Sequence, residues 1–176
     1  MSLLKIYEYP HPILREKAKE VSAVDDNIKQ LLSDMLETMY AANGVGLAAP
    51  QIGISQRMVV IDVEQDEETG KGNPICMVNP KITWASEEIN IHCEGCLSVP
   101  KQSSEVERPA SVKVKYTDEK GLEHEVLAEG LFATAVQHEL DHLDGVLYID
   151  HISRLKRNML LKKLKKYREE QKEEEN

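Results

Sequence analysis

The chain has 176 residues, 41% of them hydrophobic, and a formal net charge of −9. That length supports a full core without covalent staples, and no apolar run approaches the roughly 20 residues that a bilayer span needs. Three cysteines, Cys76, Cys93 and Cys96, are too few and too odd in number for a secreted disulfide framework, which leaves thiols free for metal or redox work.

The opening MSLLKIYEYPHP lacks a basic segment followed by an apolar one, so a cytoplasmic protein is expected. A single domain over 1–176 is expected as well, with about 168–176 as a frayed tail. The charge is uneven: residues 1–153 carry 13 Lys/Arg against 26 Asp/Glu, and residues 154–176 carry 9 against 5. Such an acidic body cannot grip DNA by charge, whereas the basic tail can touch a phosphate backbone.

In chain order, the first strong element is VDDNIKQLLSDMLETMYAANG. Asp25 or Asp26 can cap this helix and Gly44 can end it, and Ile28, Leu31, Leu32, Met35, Leu36 and Met39 recur at three and four to form a buried face. A glycine loop, GVGLAAPQIG (44–53), follows. It fits G-x-G-x-x-A, and Asp62 even falls near the expected acid, but a dinucleotide fingerprint follows a strand and opens a helix, the reverse of this setting. A loop that brings backbone close to a ligand at Gly44, Val45 and Gly46 fits better.

RMVVIDV (57–63) is a short apolar strand, and EQDEETGKGNP (64–74) is a polar loop. Strands are expected near 76–84, 87–93, 111–117 and 122–128; in SVKVKYT valines alternate with lysines, as in a half-buried antiparallel strand. LFATAVQHELDHLDG (131–145) has no breaker before Gly145 and reads as a helix through the middle of the domain. A last amphipathic helix begins at about Ile152, with Ile152, Leu155, Met159, Leu160, Leu164 and Tyr167 as its apolar stripe.

The most informative string is QHELDH. His138 and His142, four apart on a helix, face the same way and can grip one metal ion. Glu139 lies to the flank, within reach of a water beside that ion, which suits a carboxylate that takes a proton and returns it. The small apolar residues before the motif imply a buried helix, where two partnerless histidines would be costly.

A catalytic metal takes three protein ligands and keeps one position open. In HCEGCLS (92–98), Cys93 and Cys96 could both join the histidines in a closed structural zinc site. The 41 residues between Cys96 and His138 are far from finger spacing, however, and such a site leaves Glu139 idle. A redox pair would sit at the start of a helix in a parallel α/β setting, unlike this strand and turn. One cysteine as ligand is the better reading; a peptidase of the HExxH kind, with His or Glu as third ligand, is the main rival.

Taken together and in this order, GVGLAAPQ (44–51), EGCLS (94–98) and QHELDHLDG (137–145) resemble the peptide deformylases, and the likeness covers nearly the whole chain. The resemblance implies an α+β fold of antiparallel strands packed around the histidine helix, with an N-terminal helix and a C-terminal amphipathic helix. It implies an enzyme that removes the formyl group from the N-terminal formylmethionine of new peptides.

By motif position, Cys96, His138 and His142 would hold the metal, while Cys93 falls outside the pattern. The resemblance favours Fe2+, with Zn2+, Ni2+ or Co2+ in preparations, and assigns the Gln51 side-chain amide and the Leu97 backbone N–H to the developing oxyanion. Thr134 and Ala135, one turn before His138, can line a slot for methionine together with Leu131 and Val45. Ser103 and Ser104 stand where the family often carries a longer clamp residue; only Arg108 before Pro109 looks familiar there. The resemblance also points the basic C-terminal helix toward weak ribosome contact. A monomer is expected.

Overall fold

The computed structural model describes residues 2–70 and 72–176. A 3-10 turn at Pro12–Arg15 precedes α1 (Asp26–Ala41). The Asp25 carboxylate accepts the Ile28 N–H at 2.9 Å and caps the helix start. Ile28, Leu32, Met35 and Met39 are buried along one face, with Leu31 and Leu36 packed beside them, as the periodicity predicts.

The helix end differs from the expectation. Asn43, at φ +58°, takes the left-handed position expected of Gly44, and the N–H groups of Asn43 and Gly44 close back on Tyr40 O and Met39 O. Gly44 is needed for space instead: a Cβ there would lie 2.7 Å from Leu97 Cδ1.

The strands are β1 (Gly46–Ala48), β2 (Met58–Ile61), β3 (Ile75–Ala85), β4 (Ile89–Cys96), β5 (Val99–Pro109), β6 (Ser111–Thr117) and β7 (Glu123–Glu129). They form a five-stranded antiparallel sheet in the order β1-β2-β3-β6-β7 and a two-stranded antiparallel ribbon, β4-β5. After β7 come α2 (Gly130–Leu143), a 3-10 turn at Tyr148–Asp150, and α3 (Arg154–Glu175). This is the expected α+β class, with three α-helices among the described residues.

The apolar character of β2 has a simple cause, since it is covered on both faces. Val59 and Ile61 pack with Ala133, Val136, Leu140 and Leu143 of α2, while Met58 and Val60 pack with α1. In β6, Val112 and Val114 join the core while Lys113 and Lys115 stay in solvent, as the alternation requires.

A third cluster ties the ribbon to the C-terminal helix: Val99 and Val106 of β5 meet Leu14, Tyr148, Ile149, Leu160 and Leu164. The predicted stripe on α3 is therefore narrower than expected. Leu160 and Leu164 are buried, but Leu155 and Met159 point away from the core and are 71% and 54% exposed. The helix also continues to Glu175 where a frayed end was expected, and Arg168 donates to Tyr9 O.

Candidate metal centre and substrate cavity

α2 begins where Gly130, at φ +57°, turns the chain out of β7. Its small side chains, Ala133, Ala135 and Val136, let it lie deep in the core, and this carries His138, Glu139 and His142 inside with it. The ribbon delivers Cys96 at the end of β4, half-buried beside the helix. The donor atoms of Cys96, His138 and His142 all lie within 4.8 Å of one another, and Cys96 Sγ is 3.3 Å from His142 Nε2. Two donors about 2.0–2.3 Å from a tetrahedral ion would stand roughly 3.5 Å apart, so the spacing fits one shared cation.

Cys93, three residues earlier, is exposed and not among the converging donors. The four-ligand structural site therefore lacks its fourth ligand, and the CxxC spacing is a coincidence of two residues with different environments.

Glu94 organises the centre, although the sequence reasoning gave it no role. Its Oε1 accepts from His138 Nδ1 at 2.9 Å, and Arg108 clamps both carboxylate oxygens, donating from Nε at 2.7 Å and from Nη2 at 2.9 Å. Arg108 also donates to Asp141 Oδ2 at 2.8 Å, where His151 Nε2 approaches at the same distance. The expectation that Arg108 meets substrate is corrected here: it is buried, spends its donors on Glu94 and Asp141, and does not line the cavity. The signal that could have found Glu94 was its position two residues before Cys96 on the same strand, as an acid on a buried face.

The electrostatics follow from these contacts. Burial raises the Glu94 carboxyl, but His138 and Arg108 outweigh it and hold the group down to about 2. With Glu94 a carboxylate, His138 Nδ1 keeps its proton, so a cation that displaced the second ring proton would meet the Nε2 lone pair on the side of Cys96 and His142. Burial likewise opposes a charge on His138, yet hydrogen bonds to Cys96 and Glu94 raise it well above the usual imidazole range. His142 is pushed well below that range by burial and then by His138 and Arg108. The pocket thus attracts positive charge while keeping a neutral imidazole ready to coordinate.

Glu139 is driven up to about 7, chiefly by burial. Its Oε2 is buried without a hydrogen-bond partner among the described residues, which suits a carboxylate that hands protons to and from a reactant. Gly46 packs against it so closely that a Cβ would stand 2.6 Å from Glu139 Oε1.

Gln51 is buried in the 3-10 turn at Ala49–Ile52, with Oε1 accepting the Ala48 N–H at 2.9 Å. Its Nε2 donates to Ser98 Oγ at 3.0 Å and lies 3.5 Å from Cys96 Sγ, so the amide is held with one proton toward the donor cluster. Asp62, the acid that mimicked a dinucleotide fingerprint, instead accepts from Tyr40 Oη at 2.6 Å and from the Glu64 and Asn73 N–H groups, organising its own loop.

A cavity of about 330 Å³ opens onto this centre. Gly44, Val45, Gly46, Leu131, Thr134 and Ala135 line it as expected, together with Gln51, Leu97, Cys96, His138 and Glu139. Asn43, Lys101 and Gln102, which the sequence reasoning did not place there, form more of the wall, with Cys93 of β4 beside them. Thr134 Oγ1 is fixed by His92 Nδ1 at 2.6 Å.

The family model for polypeptide deformylase matches residues 3–158. The chain is 54% identical over 170 residues to the peptide deformylase of Zymomonas mobilis subsp. mobilis, covering 96% of each chain. Among solved structures, it is similar to the peptide deformylase of Ehrlichia chaffeensis, with TM-score 0.90, 38% identity and coverage of 97% and 99%. It is also similar to a peptide deformylase from Legionella pneumophila, with TM-score 0.89, 43% identity and coverage of 97% and 98%.

Proposed function

The chain belongs to the polypeptide deformylase family, and we propose that Cys96, His138 and His142 hold one divalent cation, natively Fe2+, for the hydrolysis of N-formyl peptides. The activity is that of a metal-dependent hydrolase which removes the N-formyl group from newly made peptides. The observation that carries the residue assignment is the convergence of three donors beside the unpartnered Glu139 carboxylate oxygen, at the floor of a cavity.

A bound cation supplies the Lewis acidity that brings a water toward deprotonation near neutral pH. Glu139 would take a proton from the attacking water as its oxygen bonds to the formyl carbon, hold that proton in the buried site, and give it to the peptide nitrogen as the carbon–nitrogen bond breaks. Formate and a free amino terminus result. As negative charge develops on the former formyl oxygen, the Gln51 amide and the Leu97 N–H receive it; Ser98 and Ala48 keep Gln51 from turning away. Each such donor contributes typically about 10² to 10³ in rate.

Leu131, Thr134, Ala135 and Val45 form the side wall that takes the methionine side chain, and Gly44 and Gly46 let the peptide backbone approach. Thiolate plus two imidazoles also accepts Zn2+, Ni2+ or Co2+, so preparations will contain whichever metal is supplied. No helix among the described residues is long and apolar enough to cross a membrane. A cytoplasmic monomer that meets formylmethionyl chains near the ribosome, with weak contact through α3, fits the basic face of that helix.

The test is formate release from a formyl-Met peptide by protein purified without air, with metal measured in the same sample. Turnover that scales with bound metal is expected. An inactive protein with stoichiometric metal that survives Cys96→Ser would overturn the assignment.

A further inference from the structure

We infer that the downstream part of the peptide substrate leaves the cavity over β5 and is read by Lys156 and Lys163 of α3, which favour acidic residues several positions after the methionine. The inference rests on the deformylase reading and deepens it.

A cavity of about 330 Å³ lies at the low end of small-ligand sites, so a polypeptide must pass out of it within a few residues. On the ribbon side the rim is made by Lys101 and Gln102. There β5 departs from regular pairing: Glu94 faces Ser104 and Cys96 faces Val99, so two steps along β4 match five along β5. The surplus is taken up around Lys101, at φ +61°, and carries Gln102 to the edge of the cavity.

Gln102 also begins a second groove, of about 180 Å³, bounded by Ser103 and Ser104 on β5 and by Lys156, Met159 and Lys163 on α3. The two concavities share that residue, so an extended chain can run from one into the other. Ser103 and Ser104 are short, which leaves the passage open. Among the described residues, no Asp or Glu lines this groove. It is therefore a local positive site on a protein whose net charge of −9 would by itself repel an acidic peptide.

Met159 gives the same conclusion from the apolar side. It is 54% exposed beside the buried Leu160, and it offers the peptide backbone an apolar floor between two cations.

The experiment uses the metal-loaded full chain, free of nucleic acid, and three amide-capped peptides. Each begins formyl-Met-Ala-Ala and continues with four Glu, four Ser or four Lys. The ratio of kcat/KM for the Glu peptide over the Lys peptide is read within each protein. A ratio of about 3 to 10, residing in KM, is expected from two exposed ion pairs. It should collapse toward one at 1 M salt, where the Debye length is about 3 Å.

Lys156→Glu with Lys163→Glu should invert the order, and the Gln pair should flatten it; both positions are exposed, so the fold is not at stake. A ratio at or below one in the unaltered protein overturns the inference, as does a ratio unchanged by the substitutions. Tight binding of an RNA oligonucleotide by these lysines, with a peptide ratio of one, would reassign the groove. Absence of formate from all three peptides would instead sink the deformylase reading beneath it.

Discussion

His138 and Glu94 form one unit: the imidazole Nδ1 lies 2.9 Å from the carboxylate, and the carboxylate is held from its other side by Arg108. The pairing sets the tautomer of a metal ligand from the adjacent strand, so β4 supplies both a ligand, Cys96, and the support for another.

Glu94→Gln should therefore weaken two properties at once. Metal affinity should fall about 10- to 100-fold, because His138 loses the partner that fixes its tautomer and ring orientation. Stability should fall by about 2 to 3 kcal/mol, since the buried Arg108 loses the charge of Glu94 and keeps Asp141 as its remaining carboxylate partner. The pH dependence carries a sign. Glu94 is lowered from 4.5 to about 2, so its stabilisation is present above 4.5 and is lost as pH falls through about 2. The stability gap between the original and altered proteins should narrow over that window. Competition titration with a chelator and denaturant melts at several pH values measure both; an unchanged metal affinity would remove Glu94 from the centre.

Cys96→Ser should lose the metal, whereas Cys93→Ser should keep metal and turnover, since only Cys96 lies among the converging donors. Elemental analysis of the two proteins decides it. Equal loss from both would bring back the closed four-ligand site.

Much of this arrangement was legible beforehand because its signals are local. The i, i+4 histidines need only a helix, and the alternating valines of 111–117 need only a strand with one buried face. β5 was missed for a physical reason: Pro100, Ser103 and Ser104 have poor strand propensity, and its buried apolar residues, Val99 and Val106, are separated by the irregularity at Lys101. Arg108 was misplaced because its partners, Glu94 and Asp141, are 14 and 33 residues away and meet only in the folded chain. Leu155 and Met159 match the helical period of α3, yet the period cannot say how wide a stripe the ribbon covers.

Glu139→Gln should keep the metal and lose about 10² to 10⁴ in kcat, the usual worth of a positioned proton carrier. The metal-free protein should change in the opposite sense. Glu139 is raised from 4.5 to about 7, so between these values the folded state holds a proton that the unfolded state releases, and stability falls as pH rises through the window. The Gln variant lacks that titration, and its advantage should grow from pH 4.5 to 7 by about 3 kcal/mol, then stay level. Thermal melts of both metal-free proteins across that range, with turnover of the loaded forms, test the pair of effects; near-normal turnover would remove Glu139 from the mechanism.

Gly46→Ala should damage turnover without touching a ligand. The new methyl would stand 2.6 Å from Glu139 Oε1 and 2.9 Å from its Cγ, and α2 is too well packed to retreat. A displacement near 1 Å costs about 10²-fold in rate. Gly44→Ala meets the tip of Leu97, which can swing aside, so its effect should be smaller. Equal kcat in the Gly46 variant and the original protein would show that Glu139 tolerates the shift.

Ribosome contact through α3 is best tested without removing the helix. Truncation after Arg157 would take away Leu160 and Leu164, which are buried against β5 and Tyr148; each loss of this kind costs about 2 to 5 kcal/mol. Such a truncate would confuse unfolding with lost binding. Lys162 and Lys166 are four apart on the outer face, beside Lys165 and clear of the core. Substituting both by Glu should leave the melting temperature nearly unchanged and reduce co-sedimentation with ribosomes at low salt. If the partner is ribosomal RNA, each lysine lost should also lower the slope of log affinity against log salt by about one. The acidic body sharpens the test, because its repulsion of phosphate leaves the basic residues of α3, these two among them, as the principal attraction. Co-sedimentation that is unaffected by the double substitution would show that this face of α3 is only solvated.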